Sequence, residues 1–147
     1  MDYKSKIILI AGPTASGKSK IAINLAKKID GEIINADSMQ VYKQLKILTA
    51  RPTGEDQKNI KHHLFGIIDV RKRFSTGQWL KECIKTINLI RKRKKVPIIV
   101  GGTGLYFKAL VDGLVRIPKF KPSDKNKILK LHNKLGQNQF YKKLIKL

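Results

Sequence analysis

The chain has 147 residues, 41% apolar and 29% charged, which suits a globular domain with a buried core and excludes a disordered chain. No apolar run approaches the roughly 18 residues needed to cross a bilayer, so no membrane segment is predicted. Lys and Arg number 32 against 10 Asp and Glu, and a net charge of +22 makes nucleic acid the expected partner, with a merely lysine-rich, solvated surface as the alternative.

The start, MDYKSKIILIAG, lacks the small-residue cleavage site of a signal peptide. Its β-branched run over 7–11 predicts a strand buried on both faces of a parallel sheet. GPTASGKS follows at once and fits G-x-x-x-x-G-K-[ST] at every fixed position. In such a loop, glycines let successive backbone N–H groups converge on an anion at a helix N-terminus. Gly12 and Gly17 are expected to supply that freedom, Lys18 a point charge and the Ser19 hydroxyl a ligand for Mg²⁺. Pro13, Thr14, Ala15 and Ser16 complete the loop. The pattern marks a phosphate site without distinguishing ATP or GTP from another diphosphate.

Ile21, Ala22, Leu25, Ala26 and Ile29 then recur at helical spacing, and Gly31 punctuates the end. EIIN, 32–35, predicts a second strand that leads into ADSMQVY. Asp37 there stands at a strand's carboxyl end beside a phosphate site. It can hold Mg²⁺ through water, act as a general base, or cap the next helix. Gln40 carries an amide that suits an adenine edge. LFGII, 64–68, predicts a third strand with Asp69 at its end.

Ser75 and Gln78 have capping-box spacing and open the clearest helix, with Leu80, Cys83, Ile84, Ile87 and Ile90 as its apolar stripe. RKRKK, 91–95, closes it, and reads first as a solvated end complementing the helix dipole. Cys83 is the only cysteine, which excludes an internal disulfide, reads as core, and fits a reducing cytoplasm. PIIV, 97–100, is a fourth strand, and GGTG turns it into a helix over 105–110. From Ile117 the composition changes. Residues 123–135 and 139–147 read as two short basic amphipathic helices separated by Gly136, the second reaching Leu147 without a cap, as if the chain were cut inside an element. The expected division is an α/β core over 1–116 and the start of a basic helical region over 117–147.

Strand and helix signals alternate, which predicts an α/β fold with an open parallel sheet and right-handed crossovers. Ligands of such sheets bind at the carboxyl ends of the strands. The phosphate loop, the ADSMQ segment and the GGTG turn all fall there.

GPTASGKS, INADSMQVYKQLKILTARPT, HHLFGIID and PIIVGGTGLYFKALVDGL, in that order and spacing, resemble the tRNA dimethylallyltransferase family over about 7–114. The resemblance implies a P-loop NTPase-like fold in a cytoplasmic enzyme that is a monomer at full length. It implies that the loop holds dimethylallyl diphosphate, with Mg²⁺, and not an energy-supplying nucleotide. The allyl group would move to the N6 amine of the adenosine 3′-adjacent to the tRNA anticodon. In that setting the loop amides, Lys18 and a Ser19-bound Mg²⁺ stabilise the leaving diphosphate. Asp37 accepts a proton from the adenine amine, and Thr103 contacts the reacting region and the tRNA. Ser38, Met39 and Gln40 line the pocket for a flipped base. Lys125 falls where the family often has a basic tRNA-contacting residue.

Three positions depart from the pattern: Leu48 stands where the family usually has glycine, and Gly66 and Gly77 are atypical. Family members are also longer, and Lys119 onward resembles only the beginning of their inserted helical region, so the sequence reads as an N-terminal part with reduced or no activity alone. A small ATP-using P-loop kinase and a non-catalytic RNA-binding module are the competing readings. No Arg-rich lid between strands three and four supports the first; the net charge supports the second.

Overall fold

The computed structural model describes residues 6–52, 54–57, 59–115 and 121–147, which fall into two units divided at Leu114/Val115. The boundary expected at 116/117 and Lys119 lie outside the described residues.

In the first unit, β1 (Ile8–Ala11), β2 (Gly31–Asn35), β3 (His62–His63) and β4 (Val96–Gly101) form a parallel sheet in the order β1-β4-β2-β3. The helices are α1 (Lys18–Ile29), the single turn α2 (Gly54–Gln57), α3 (Thr76–Lys92) and α4 (Gly104–Asp112), with a 3₁₀ turn at Lys43–Leu45. Ala11 pairs with Gly101 and Asn35 with Val100, so the carboxyl ends of the strands finish level at one edge of the sheet. That edge carries the phosphate loop, Asp37 and the GGTG turn.

The two central strands are buried along their whole length, and their side chains alternate between two cores with the period of two that a pleated strand imposes. Ile33, Ile98 and Val100 pack with Ala22 and Ala26 of α1. Ile34 and Ile99 pack on the other face with Trp79, Cys83, Ile87 and Ile90 of α3 and Tyr106 of α4. Fully burying one such side chain contributes about 1.5–3 kcal/mol. Trp79 stacks on Tyr106 with ring centroids 4.2 Å apart, and its indole N–H donates to Asn35 O at 2.9 Å. This ring therefore fixes α3 and α4 to the end of β2 that leads into Asp37. Burial pushes the Cys83 thiol up to about 12, so it behaves as plain core, as expected.

The structure corrects four sequence expectations. β1 is not buried on both faces: it is the edge strand of the described sheet and its burial alternates, leaving Leu9 40% exposed. The third strand is not 64–68 but His62–His63, because Leu64 (φ 63°) and Gly66 (φ 57°) take left-handed conformations that no ladder accepts; Ile68 returns only as a bridge to Tyr42. Ile84 is exposed and Trp79 takes its place in the stripe of α3, since Ile84 lies roughly 100° round the helix from the line through residues 79, 83, 87 and 90. The left-handed residue ending α1 is Asp30 (φ 52°), not Gly31, which belongs to β2. The capping box of α3 forms as expected, with Gln78 N–H donating to Ser75 Oγ and Ser75 N–H to Gln78 Oε1.

The basic run after α3 is partly structural. Glu32 is a buried carboxylate in the middle of the sheet, and Arg93 reaches it with Nη2 at 2.6 Å and Nε at 3.1 Å while His63 Nε2 lies 2.7 Å away. Burial would raise its pKa, but the bonds and charges of Arg93 and His63 together hold it below the ordinary value. A depressed carboxylate contributes stability above its unfolded pKa and loses it as pH falls through the folded one. Removing Arg93 leaves this charge with one weaker partner. Arg93→Ala should therefore destabilise the fold by about 3 kcal/mol, the low end for breaking a buried pair. Urea unfolding at neutral pH checks this, and a loss below about 0.5 kcal/mol would show that water replaces the guanidinium freely.

The second unit contains α5 (Pro122–Leu144), interrupted at Gly136 (φ 71°, ψ 167°). It is thus two helical segments, as the sequence predicts, with Pro122 at the first turn. His132 and Phe140 meet edge to face across the break, 5.0 Å between centroids. Among the described residues no helix is long and apolar enough to cross a membrane.

Candidate active site

The phosphate loop owes its shape to two left-handed residues. Gly17 (φ 80°) caps α1, but the second is Ala15 (φ 63°) and not Gly12, so the freedom expected of both glycines is used at only one. The turn leaves the first N–H groups of α1 facing out of the helix, where they favour an anion. Lys18 opens the helix and folds its ammonium back onto Pro13 O, with Ser16 Oγ at 3.3 Å.

Beside it, Asp37 is held by its neighbours. Its N–H donates to Asn35 Oδ1 at 2.9 Å, and Asn35 Nδ2 donates to Asp37 O at 3.0 Å and to Leu64 O at 3.2 Å. Asp37 Oδ1 accepts the N–H of Met39 at 2.8 Å and of Gln40 at 3.4 Å, so it shapes a turn and does not cap a helix as the sequence allowed, the next element being the 3₁₀ turn at Lys43–Leu45. Its other oxygen, Oδ2, has no hydrogen-bond partner among the described residues. One carboxylate oxygen thus shapes the turn and the other is left for chemistry.

The GGTG turn closes the edge from behind. Gly101 lies so near Ala36 that a side chain on it would overlap the Ala36 carbonyl, and this approach lets Ala36 N–H donate to Val100 O and Thr103 N–H to Ala36 O. Thr103 Oγ1 accepts the Ser38 N–H at 2.9 Å. Thr103 and Ser38, expected at the substrate, thus hold each other at the Asp37 turn, and neither is among the residues lining the cavity.

That cavity measures about 610 Å³. Thr14, Ala15, Ser16, Gly17, Lys18 and Ser19 form one wall, and Asp37, Met39 and Gln40 stand beside it. Gly12 and Pro13 complete the loop without lining the cavity. Sequence reasoning missed the rest of the lining: Leu48, Thr49, Ala50 and Pro52, with His62 of β3 and Phe65 just beyond that strand. Its one legible signal was that the HH pair ends a strand at the ligand edge. Gln40 does not offer its whole amide to a ligand, since Nε2 donates to Thr49 O at 2.8 Å. Arg51 donates to Tyr42 O at 3.3 Å, and its guanidinium fills the space that a side chain at the atypical Gly66 would occupy. Lys125 belongs to the second unit.

No group of three or more His, Cys, Asp or Glu side chains suited to a metal occurs among the described residues. Mg²⁺ needs less, because it keeps several waters and shares phosphate oxygens with one or two protein ligands. The exposed Ser19 hydroxyl and Asp37 Oδ2, both on the cavity, fit that requirement.

An anion-binding loop between a parallel strand and a helix, at the carboxyl edge of an open sheet, defines a P-loop NTPase-like α/β protein. The IPP transferase family model matches residues 40–147, and the chain belongs to that family. It is 64% identical, over its whole length, to the tRNA dimethylallyltransferase of Pelagibacter ubique, covering 47% of that protein. It is 54% identical over 111 residues to the tRNA dimethylallyltransferase of Hyphomonas neptunium, covering 76% of this chain and 35% of the other. Among solved structures, a eukaryotic dimethylallyltransferase acting on tRNA superposes with a TM-score of 0.81 at 35% identity, over 95% of this chain and 35% of that one. The tRNA isopentenylpyrophosphate transferase of Bacillus halodurans gives 0.74 at 35% identity, over 88% and 43%. The chain thus spans less than half the length of these relatives.

Proposed function

We propose that these residues form the donor-binding part of an enzyme that prenylates tRNA, moving a dimethylallyl group from its diphosphate to the N6 amine of the adenosine beside the anticodon. The observation that carries this reading is the cavity, where the phosphate loop and the Asp37 carboxylate face one space whose remaining wall is largely apolar. An allyl diphosphate is anionic at one end and hydrocarbon at the other, which suits such a lining. A nucleotide base would suit an apolar wall too, and the names of the relatives favour the allyl diphosphate. The names of the relatives supply the acceptor class, and the net charge of +22 suits a polyanion.

In the reaction the bond between the allylic carbon and the diphosphate oxygen breaks, and the oxygen keeps the electron pair. The amine nitrogen forms the new C–N bond and gives up one proton. Loop N–H groups and the Lys18 ammonium stabilise charge growing on the departing diphosphate. Asp37 Oδ2 accepts the proton, while its Oδ1 stays bonded to the turn that aims it. Mg²⁺, held by Ser19 and the diphosphate oxygens, would add charge neutralisation at the leaving group. Ser38 and Thr103 act on the chemistry by fixing this turn. A lone buried cysteine fits work in a reducing cytoplasm.

Ligand preference tests the reading. Dimethylallyl diphosphate should raise the melting temperature of the chain, and ATP at equal concentration should do so far less. Stabilisation by ATP without stabilisation by the allyl diphosphate would point to a kinase.

A further inference from the structure

The loop after the Lys43–Leu45 turn is tethered at several points. Thr49 Oγ1 and Thr49 N–H both donate to Leu45 O, at 2.5 and 3.2 Å, and Ala50 N–H donates to Ile47 O at 3.0 Å. Arg51 N–H donates to Lys46 O at 3.2 Å, and the Gln40 amide holds Thr49 O at 2.8 Å. Ala50 closes the turn with φ 46°. A loop fixed in this way presents its side chains in defined places instead of sampling many.

Leu48 is the large apolar side chain this loop contributes to the cavity, and it is 82% exposed there. Met39, from the Asp37 turn, is also on the lining and 49% exposed. An isolated exposed leucine needs no explanation. Here two exposed apolar side chains from separate loops, with Phe65 and Pro52, line one cavity that the phosphate loop also lines. The cavity is amphiphilic in the same sense as a diphosphate carrying a short hydrocarbon.

We infer that Leu48, a side chain where the family usually has glycine, grips the hydrocarbon of the allylic donor and sharpens this site's preference for an alkylated diphosphate over a bare one. This rests on the donor reading above. Contact with Leu48 buries apolar surface of both partners, and a bare diphosphate gains nothing from it. Polar recognition stays with the phosphate loop, so the two contributions can be separated by changing the ligand and the side chain in turn.

The experiment is calorimetry on the chain as it stands, with inorganic diphosphate and dimethylallyl diphosphate each titrated into the parent, Leu48→Ala and Leu48→Met. The readout is the ratio of the two affinities, which a purely structural role for Leu48 would leave alone. Leu48→Ala should lower the preference for the alkylated ligand by about five- to tenfold, with inorganic diphosphate unchanged within about twofold. Leu48→Met, similar in volume, should keep the parent ratio within about twofold. A ratio that is the same in parent and Leu48→Ala overturns the inference while leaving the phosphate-loop reading intact. A parent that binds inorganic diphosphate with no preference for the alkylated form overturns it as well. If the parent binds neither ligand, the donor reading itself fails and takes this inference with it.

Discussion

Asp37→Asn should slow prenyl transfer by roughly 10²–10⁴-fold while changing tRNA and donor affinity by no more than about threefold. The expectation follows from how the two carboxylate oxygens are used. Oδ1 accepts the N–H groups of Met39 and Gln40 and so holds the turn at the end of β2. An asparagine carbonyl can accept the same two bonds, and the Asn35 and Thr103 contacts that flank the turn involve other atoms. The fold of the turn and the shape of the cavity should therefore survive. What the amide cannot do is take a proton from the adenine amine, whose lone pair is tied up in the ring until that proton leaves. The measurement is single-turnover transfer in a chain extended to the length of its relatives, beside tRNA binding on the same protein. Equal single-turnover rates would mean that Asp37 only caps the turn. A matched loss of affinity would mean that the turn had collapsed.

What the sequence made legible was what local chemistry decides. The phosphate loop is eight consecutive residues whose spacing states its purpose, and the capping box of α3 needs only Ser75 and Gln78. The apolar runs of β2 and β4 announce burial because both strands lie inside the sheet. Failures arose where distant partners decide. LFGII has the composition of a strand, but Leu64 turns left-handed where Asn35 Nδ2 holds its carbonyl and Gly66 N–H bonds to Gln40 O. Propensity within five residues cannot report bonds to residues 26 and 29 positions away. β1 reads like the central strands, yet its place at the edge of the described sheet depends on topology and not on its own residues. The second wall of the cavity was hidden for the same reason. Leu48 and Thr49 lie in a block that marks the family without stating their task, and the bond from Gln40 to Thr49 O and the tethers within the loop bring them to the site. Thr103 was singled out from the sequence, and the structure adds that its hydroxyl accepts the Ser38 N–H. Motifs thus identified the residue, and three-dimensional bonding assigned its task.

Lys18→Ala should weaken binding of inorganic diphosphate by about ten- to a hundredfold, the usual worth of a hydrogen bond to a charged partner. Lys18 lines the cavity, and its ammonium is bonded to Pro13 O and near Ser16 Oγ, both within the loop itself. Those contacts tie the lysine to the path of an entering anion and join no distant parts of the fold. Truncation should leave stability nearly unchanged, since alanine is a better helix former than lysine at the start of α1. The loop N–H groups remain in the variant, so residual binding is expected, not abolition. Net charge alone could weaken an anion's attraction to a protein carrying +22, and this contribution must be separated. Lys28→Ala removes the same charge from the last turn of the same helix, well away from the loop. It should lower affinity by less than about twofold, and that small loss should vanish at moderate salt as distant charges are screened. The Lys18 effect should persist there, because a direct contact is screened far less. Lys18→Arg should restore only part of the affinity, as a planar guanidinium cannot reproduce a compact ammonium inside a loop of this shape. Calorimetry at two salt concentrations decides the matter. Equal losses for Lys18→Ala and Lys28→Ala would reduce Lys18 to a contributor to the general field and leave the backbone N–H groups as the whole of the phosphate site.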